Sequence, residues 1–416
     1  MNPLYNTSIA LLRAGIRLSK GFNAKSRRML EGHKETFAAL EQALKGNESP
    51  VMWIHAASLG EFEQGRPMIE MVKKEHPDWK VVLSFFSPSG YEVRKKYPLA
   101  DVVVYLPFDT PANARRFVDT VNPSVAIFVK YEFWGNYLSA LRRRKVPTYI
   151  ISAIFRPTQA FFKPWGGTFR GMLKCFTHLY VQDEASRRLL EGIGVTNVTV
   201  AGDTRFDRVA DVRSSKCKIE WIPRMMEHAA MKFIAGSSWP ADEAVYADWL
   251  NARKDVKFII APHEFDDARL SHLKGLFPGR EVMLLSEWQR AGSPASVEGL
   301  IVDSFGHLSS LYRYADVAYI GGGFGTGIHN INEAAVYGIP VVFGPRHQKF
   351  REAAGLIQCG GGISVSSVVE FDDVMDRFLS DPAYLKSAGE AAGRYITENL
   401  GATTRIYDSI FTTHRH

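Results

Sequence analysis

Short apolar segments recur along the chain, and most are followed by a turn and then by a segment in which apolar residues repeat at helical spacing. Strands that alternate with helices favour parallel sheets with helices on both faces, because parallel neighbours need a crossover connection. The predicted fold class is α/β, with a Rossmann-like, doubly wound sheet in each half of the chain. The predicted strands are Val51–Ala56, Val81–Phe86, Val102–Leu106, Val125–Val129, Thr148–Ser152, His178–Gln182, Val198–Ala201, Met231–Ala235, Val256–Ala261, Glu281–Leu285, Leu300–Val302, Ala318–Ile320 and Ile339–Phe343.

A chain of 416 residues is long enough for two domains with separate cores. A polar stretch at 216–227 separates the two alternating series, which places a hinge near 208–228. We expect an N-terminal helical region at 1–30, a first domain at 31–210 and a second domain at 211–385. We expect a C-terminal helix within 386–416 to pack back on the first domain.

The segment Ile320–Pro345 is rich in glycine and joins a predicted strand to a predicted helix. Glycine lets backbone N–H groups approach a ligand, and a helix N-terminus attracts phosphate. Glu333, one turn into that helix, is suited to accept hydrogen bonds from ribose hydroxyls. The segment therefore predicts a nucleotide site, and the alternative is a glycine-rich turn without a ligand. Its spacing matches neither the dinucleotide fingerprint nor the P-loop.

Composition limits the classes of protein to which the chain can belong. Hydrophobic residues make up 46% of the chain and charged residues 23%, as in ordinary globular proteins. Cys175, Cys217 and Cys359 lie far apart, so they indicate neither a disulfide framework nor a metal site. The apolar runs are too short to span a bilayer. Arg13 and Arg17 interrupt the apolar residues near the N-terminus, which disfavours a signal peptide, because a signal peptide needs an uninterrupted apolar segment.

The net charge of +7 is concentrated near the N-terminus. Between Arg13 and Lys34 seven basic residues accompany one acidic residue, Glu31. A helix is predicted at 3–20, in which an apolar stripe of Tyr5, Ile9, Leu12 and Ile16 runs beside a basic stripe. Such a helix favours an anionic membrane surface, and the alternative is that the apolar stripe packs on the protein. Nucleic acid is disfavoured, because no aromatic residues interleave with the bases.

The loops after the predicted strands of the first half carry two carboxylates. Glu61 follows the strand at Val51–Ala56 and is a candidate general base, with helix capping as the alternative. A helix dipole lowers the pKa of such a group, and a neighbouring carboxylate raises it. Glu132, which follows the strand at Val125–Val129, is the candidate for that neighbour.

Other loops carry groups suited to an anion. Arg205 follows the strand at Val198–Ala201 and is suited to clamp a carboxylate or phosphate, unless it pairs with Asp203 or Asp207. Ser237, Ser238 and His263 occupy the corresponding loops of the second half and are candidate phosphate contacts. The sequence contains no G-x-S-x-G elbow and no strong metal-ligand spacing, which disfavours serine nucleophiles and zinc chemistry.

Several of these segments resemble motifs of one known family, the 3-deoxy-D-manno-octulosonic acid (Kdo) transferases. The similar segments, in order, are His55–Glu61 (H-x-x-S-x-G-E), Ser87–Glu92 (T-P-T-G-x-E), Tyr105–Asp109, Glu132–Trp134, Gly202–Asp207 (G-x-x-K-F-D) and His329–Glu333 (H-N-x-x-E). The resemblance extends from about residue 50 to 350. Its main departures are Arg205 in place of lysine, and His263-Glu264 in place of arginine followed by histidine.

The resemblance implies a GT-B fold, in which two Rossmann-like domains face a central cleft. It implies inverting transfer of Kdo from CMP-Kdo to a lipid A precursor at the cytoplasmic face of the bacterial inner membrane, with no cofactor and no metal. Glu61 becomes the proton acceptor, and Glu132 and Arg205 support the transition state. The CMP contacts it implies are Pro262, His263, Phe305, Gly306, His307, Asn330, Ile331, Asn332 and Glu333.

Two other hypotheses remain open at this point. A different GT-B enzyme would use a UDP-sugar, either as a transferase or as a 2-epimerase. A non-catalytic nucleotide-binding module at a membrane surface is the second, and the two carboxylates in strand-end loops argue against it.

Overall fold

The computed structural model describes residues 3–214 and 222–412. The chain forms two compact units, one of Met1–Arg208 with Leu400–His416 and the other of Val209–Asn399. Residues 216–221, half of the polar stretch predicted to connect them, lie outside the described residues. The chain enters the first unit again at Leu400, later than the predicted 386. The reason is that the long helix Pro382–Glu398 buries small residues such as Ala388 and Ala392 inside the second unit.

The described part of the first unit contains a seven-stranded parallel sheet with the order β3-β2-β1-β4-β5-β6-β7. Its strands are β1 (Val51–Ala56), β2 (Lys80–Phe85), β3 (Val102–Tyr105), β4 (Val125–Val129), β5 (Thr148–Ala153), β6 (His178–Val181) and β7 (Val198–Val200). The interior strand β1 is buried along its whole length, with Trp53 in the apolar core of one face and Ile54 in that of the other. Helices cover both faces, as the near-continuous apolar strands require.

The helices of the first unit alternate with these strands. They are α1 (Pro3–Ser19), α2 (Ala24–Ala43), α3 (Leu59–Glu75), α4 (Pro88–Arg94), α5 (Pro111–Val121), α6 (Gly135–Arg143), α7 (Gly167–Leu173), α8 (Glu184–Glu191) and α9 (Arg205–Ser214). The boundary between the units falls within α9. A short 3₁₀ helix spans Ala160–Phe162, and α19 (Ala402–Tyr407) follows the return at Leu400 with a π-helical turn at Asp408–Thr412.

The described part of the second unit contains another seven-stranded parallel sheet, with the order β10-β11-β9-β8-β12-β13-β14. Its strands are β8 (Met231–Ser238), β9 (Val256–Pro262), β10 (Val282–Leu284), β11 (Gly299–Ile301), β12 (Val317–Ile320), β13 (Val341–Phe343) and β14 (Gly362–Ser364). Its helices are α10 (Ile222–Met225), α11 (Pro240–Ala252), α12 (Asp267–Gly275), α13 (Leu285–Arg290), α14 (Leu308–Leu311), α15 (Asn332–Ala335), α16 (Arg351–Cys359), α17 (Val368–Ser380) and α18 (Pro382–Glu398), with a 3₁₀ turn at Tyr312–Tyr314.

The predicted α/β class is confirmed, and every predicted strand is present with ends shifted by at most a few residues. The pattern analysis did not predict α2, α16 or β14. The predicted helix after the glycine segment is much shorter than expected, because α15 ends at Ala335 and a turn leads to Gly338, which has a φ of 74°. Within the described residues, the helices lack the length and apolar character that crossing a bilayer requires.

Three residues of the apolar stripe predicted on α1 pack on the first unit, whereas the fourth, Leu12, is 41% exposed. Ile9 is buried, Tyr5 contacts the core between the sheet and its helices, and Ile16 contacts the cluster of Met29 and Phe108. A different stripe faces solvent, since Leu4, Leu11 and Leu18 are 76%, 68% and 80% exposed. These leucines are seven residues apart and so share one side of the helix.

Asp109 joins α1 to the start of α6. This buried carboxylate follows β3 and accepts hydrogen bonds from the backbone N–H groups of Asn136 and Tyr137, both at 3.0 Å. It also accepts one from the Tyr5 hydroxyl at 2.6 Å, and the same hydroxyl accepts one from the Gly135 N–H at 3.0 Å. A carboxylate from another element thus satisfies the first N–H groups of α6, which have no partners within the helix.

We expect the Tyr5→Phe substitution to destabilise the first unit by about 1–3 kcal/mol, because a buried carboxylate and a backbone N–H each lose a partner while the ring stays. Urea unfolding followed by tryptophan fluorescence measures the change.

Tyr91→Phe is the matched control, because the Tyr91 hydroxyl has no hydrogen-bond partner among the described residues. The contact of the Tyr91 ring with Tyr105, at 4.1 Å between centroids, does not need the hydroxyl. Equal stability of the two variants would contradict the proposed link between α1 and α6.

Candidate active site

The three predicted catalytic residues of the first unit lie in loops that follow strands. Glu61 is in the first turn of α3, after β1, and Glu132 lies between the neighbouring strand β4 and α6. Arg205 begins α9, after the edge strand β7. Parallel strands bring such loops to one edge of the sheet.

The turn after β7 is bonded to the helix that carries Glu61. The Gln64 amide donates to Asp203 Oδ1 at 2.9 Å, and the Thr204 hydroxyl donates to the Gln64 carbonyl at 2.5 Å. All three residues are buried. The structure therefore brings Arg205 to α3, although several strands separate β7 from β1 in the sheet.

Tyr131 marks the point at which these charges meet, and the sequence analysis did not single it out. Burial raises the pKa of the Tyr131 hydroxyl, the positive charges of Arg156 and Arg205 lower it, and the negative charges of Glu61 and Asp203 raise it. All four charges therefore act on one hydroxyl. Tyr131 lies in the turn after β4, where a lone tyrosine matches no motif, so the sequence carried no signal for it.

Glu132 is held by two aromatic side chains. Its Oε2 accepts a hydrogen bond from Trp134 Nε1 at 2.6 Å and lies 3.1 Å from His55 Nε2. His55 is fully buried, and its Nδ1 lies 2.9 Å from the Ser84 hydroxyl, which accepts from Trp53 Nε1 at 2.8 Å. Every donor has an acceptor if Ser84 donates to Nδ1 and the Nε2–H of His55 donates to Glu132.

Glu61 has a more open environment. Its side chain is partly exposed, and its Oε2 contacts the Ser58 hydroxyl. Ser58 precedes α3, but its side chain forms no capping bond with the helix backbone. A partly exposed carboxylate in the first turn of a helix stays accessible to a substrate hydroxyl.

Arg205 forms the ion pair that the sequence analysis gave as the alternative to an anion clamp. Its Nε and Nη2 donate to Asp203 Oδ2 at 3.0 and 2.8 Å. Burial raises the pKa of Asp203, but the charge and hydrogen bonds of Arg205 outweigh burial and hold that pKa below its ordinary value. Asp207 instead accepts from the N–H groups of Gly401 and Thr403.

The glycine segment of the second unit is not an open cradle of N–H groups, which corrects the first interpretation of its glycines. The N–H of Gly321 donates to the Gly236 carbonyl at 2.9 Å, and those of Gly325 and Gly327 donate to the Gly322 carbonyl at 3.0 Å. A Cβ at Gly321 would collide with the Ser237 carbonyl. The glycines thus allow backbone segments to cross, and they bond mainly to one another.

Asp242, which the sequence analysis missed, organises this segment. The buried carboxylate accepts from the N–H groups of Gly322 at 2.8 Å and Trp239 at 3.0 Å, and from the Tyr319 hydroxyl at 3.1 Å. Burial raises the pKa of Asp242, and these hydrogen bonds oppose that rise. An aspartate in the first turn of a helix is ordinarily a cap, so only its partners reveal this role.

Ser238, a predicted phosphate contact, already has protein partners for its hydroxyl. Its buried hydroxyl donates to Glu243 Oε1 at 3.0 Å and lies 2.6 Å from the Tyr246 hydroxyl. Ser237 has a φ of 53°, a left-handed conformation that is uncommon for a residue with a side chain. The turn after β8 is therefore held tightly by the protein itself.

His263 lies between two other rings. Its ring centroid is 4.7 Å from that of Trp239 and 4.3 Å from that of His329. Trp239 Nε1 donates to His329 Nε2 at 3.3 Å, so this nitrogen carries no proton. Burial, followed by the charge of His263, lowers the pKa of His329 to about 4. Trp239 is the third ring of this group, and nothing in the sequence around it predicted its contact with the two histidines.

The remaining predicted nucleotide contacts lie near α14 and α15. Glu333 accepts from the Ser309 hydroxyl at 2.6 Å and from the Asn330 amide at 3.0 Å. Ile331 and Asn332 are buried, and Phe305 is exposed with its ring centroid 4.9 Å from that of Phe265. Gly306, with a φ of 94°, leads to His307 at the start of α14, and Pro262 ends β9.

Two features of the described residues bear on ligands. Both side-chain polar atoms of the buried Asn332 lack a hydrogen-bond partner within 3–214 and 222–412. In the same residues no three histidine, cysteine, aspartate or glutamate side chains are grouped as a metal ion would require.

Two Rossmann-like units, each with polar loops at the carboxyl ends of parallel strands, define a fold of the GT-B type. A crystal structure of a UDP-N-acetylglucosamine 2-epimerase from Listeria monocytogenes, described as putative in its own report, has a TM-score of 0.61 to this chain at 12% identity. The similarity covers 88% of this chain and 96% of that one. At this identity the similarity concerns the fold alone.

Residues 31–208 match the family model of 3-deoxy-D-manno-octulosonic-acid transferases. The transferase of that name from Chlamydophila psittaci is 26% identical over 374 residues, covering 86% of this chain and 84% of the relative. The one from Bordetella pertussis is 26% identical over 408 residues, covering 91% and 92%. The first unit therefore carries a sequence match to this family, and the chain as a whole is similar over most of its length to named 3-deoxy-D-manno-octulosonic acid (Kdo) transferases.

We expect the stability of the second unit to fall between pH 6.5 and about 4 through His329, whose pKa is lowered from 6.5 to about 4. Between these values the unfolded chain binds a proton that the folded unit does not, so stability is present above pH 6.5 and lost as the pH falls. The His329→Gln variant should lose less stability between pH 7 and pH 4.5 in urea unfolding.

His272→Gln is the control, because His272 is exposed on α12 and should keep the wild-type pH dependence. An identical pH dependence in all three proteins would contradict a buried neutral His329.

Proposed function

We propose that the chain transfers Kdo from CMP-Kdo to a hydroxyl of a lipid A precursor, with inversion at the anomeric carbon. The observation that carries the proposal is the match to named Kdo transferases over about nine-tenths of the chain at 26% identity. In this reaction the bond between Kdo and the CMP phosphate breaks, the acceptor oxygen bonds to the same carbon, and CMP leaves.

Glu61 is the general base of the proposed reaction. It takes the proton of the acceptor hydroxyl as the new bond forms. Its partial exposure supports this role, and the Ser58 hydroxyl is its one hydrogen-bond partner among the described residues. Glu132 suits the task less well, because Trp134 and His55 already occupy its Oε2.

Glu132 and Arg205 support the transition state through charge and position. Arg205 supplies a cation whose guanidinium is oriented by the buried Asp203. The charge of Arg205 lowers the pKa of the Tyr131 hydroxyl, and the charge of Glu61 raises it. A fixed cation stabilises negative charge that develops on a departing phosphate.

CMP-Kdo is the proposed donor, bound by the second unit. Glu333 and Asn330 offer hydrogen-bonding groups for the ribose, and Phe305 offers an exposed ring near the turn at Gly306 and His307. The unpaired polar atoms of Asn332 favour a ligand here, because leaving them unpaired and buried costs free energy. Pro262, His263 and Ile331 complete the proposed set.

The alternative is an enzyme of the same fold that uses a UDP-sugar as its donor. The fold similarity to the Listeria protein agrees with it only at the level of architecture, since the identity is 12%. The match to Kdo transferases therefore favours CMP-Kdo.

We further propose that the first unit docks on an anionic membrane surface through α1. Leu4, Leu11 and Leu18 form an exposed apolar stripe, and Phe22, just after the helix, is also exposed. Basic residues of the same helix and of α2 would add electrostatic attraction to anionic lipid. Docking of this kind makes the protein peripheral at the cytoplasmic face of the inner membrane.

We expect the purified protein to add Kdo to a lipid A precursor from CMP-Kdo and to form no product from UDP-N-acetylglucosamine, as measured by product mass. Glu61→Gln should lower the transfer rate by roughly 10²–10⁴-fold, the usual contribution of a general base.

Glu75→Gln is the control on the same helix, since Glu75 pairs only with Lys74 at 3.2 Å in the described residues and lies at the far end of α3. If Glu61→Gln transferred Kdo at the wild-type rate, Glu61 would not be the general base. If the wild-type protein used the UDP-sugar and not CMP-Kdo, the proposed function would be wrong.

We expect the triple substitution of Leu4, Leu11 and Leu18 by glutamine to weaken sedimentation with phosphatidylglycerol vesicles. Burying a leucine side chain fully in an apolar phase is worth about 1.5–3 kcal/mol, so even partial insertion of three leucines gives a measurable loss.

The control replaces Val368 and Val369, which are exposed on α17 of the second unit, by glutamine. If the triple variant sedimented as the control does, the apolar stripe of α1 would not be the membrane contact.

A further inference from the structure

The first unit has a cavity of about 430 Å³ beside α1 and α2. Five basic side chains line it: Arg13, Arg17, Lys20, Arg27 and Lys34. Among the described residues in its wall, Glu31 is the single acidic one. The cavity is therefore strongly cationic.

The five cations have no acidic partners. Within residues 3–214 and 222–412, no carboxylate lies within 4.0 Å of any of their charged groups. Elsewhere in the same unit arginines are paired, as Arg66 is with Glu70 at 2.7 Å and Arg94 with Glu63 at 2.9 Å. Like charges around one cavity repel one another, and a bound anion would relieve that repulsion.

The wall also offers apolar and polar surface. Phe37, Phe108 and Leu30 line the cavity with the bases. His33, whose ring centroid is 4.7 Å from that of Phe108, has a buried Nε2 without a hydrogen-bond partner in the described structure. Burial lowers the pKa of His33 to about 4. The cavity thus suits a compact polyanion attached to an apolar body.

We propose that this cavity binds a phosphomonoester on the headgroup of a lipid. A phosphomonoester carries about −1.5 to −2 charges near neutral pH and three acceptor oxygens, which match a ring of guanidinium and ammonium donors. A lipid is favoured over a soluble phosphate because α1, which lines the cavity, also exposes the apolar side chains of Leu4, Leu11 and Leu18. The identification of this lipid with the acceptor rests on the proposed function.

The seven basic residues of the N-terminal region thus divide into two groups. Five line the cavity, while Lys25 and Arg28 are exposed on α2 outside its lining. General attraction to an anionic surface would use both groups alike. A specific phosphate site would depend on the lining group alone, and this difference allows a charge-matched test.

The experiment measures sedimentation of the full chain with phosphatidylcholine vesicles that contain phosphatidic acid or phosphatidylglycerol, adjusted to equal surface charge. Phosphatidic acid presents a phosphomonoester, and phosphatidylglycerol a phosphodiester. The cavity variant is Arg17→Gln with Lys34→Gln, and the control variant is Lys25→Gln with Arg28→Gln. All four residues are exposed, and each variant loses two positive charges.

We expect the wild-type and control proteins to bind phosphatidic acid more tightly than phosphatidylglycerol. In the cavity variant this ratio of affinities should fall roughly tenfold, since two charge-assisted contacts are removed. On phosphatidylglycerol the two variants should weaken equally. Equal losses on both lipids, or no preference for phosphatidic acid in the wild type, would overturn the proposal.

Competition with inorganic pyrophosphate for the vesicle-bound protein distinguishes a lipid ligand from a soluble one. Weak competition, needing pyrophosphate in large excess over phosphatidic acid, supports the lipid. Displacement of the protein at concentrations comparable to the lipid phosphate would show that a free phosphate suffices and would overturn the lipid assignment. None of these measurements uses transfer, so a failure here leaves the transferase proposal standing, and a failed transfer assay leaves the phosphate site standing.

Discussion

Two buried carboxylates, Asp109 and Asp242, hold the loops on which the candidate site depends. A buried charge is costly unless hydrogen bonds replace water, and burial raises the pKa of both groups. Each carboxylate accepts hydrogen bonds from donors in separate segments of the chain, so it fixes the positions of those segments relative to one another. Asp109 fixes the start of α6 just after Glu132, and Asp242 fixes Gly322 and Trp239.

The same principle separates the two candidate carboxylates of the first unit. Glu132 is constrained by Trp134 and by His55, which a hydrogen-bonded chain from Ser84 orients. Glu61 is partly exposed, and in the described part of the chain its Oε2 hydrogen-bonds to the Ser58 hydroxyl alone. A constrained carboxylate suits a fixed electrostatic role, and an accessible one suits proton transfer, which is the division of labour that the proposed reaction requires.

Much of the fold was predictable because alternating strands and helices leave few arrangements open. Both sheets are parallel, as that alternation indicates, and the motif residues His55, Glu61 and Glu132 do lie close to the carboxyl ends of neighbouring strands. The glycine segment was harder to interpret. A sequence shows that side chains are missing there, but it does not show whether a ligand or another backbone segment occupies the space. In this fold the carbonyl of Ser237 approaches Gly321.

The N-terminal region shows where sequence and tertiary structure each decide the outcome. The sequence by itself determined the helical spacing of α1, the number of bases and the α/β class, because these depend on local periodicity and composition. Only the tertiary structure decided that Tyr5, Ile9 and Ile16 pack inward, that Leu4, Leu11 and Leu18 face solvent, and that five of the seven bases line one cavity. The reason is physical: a helix can turn any of its faces to the protein, and contacts distant in sequence, such as Tyr5 with Asp109, select one.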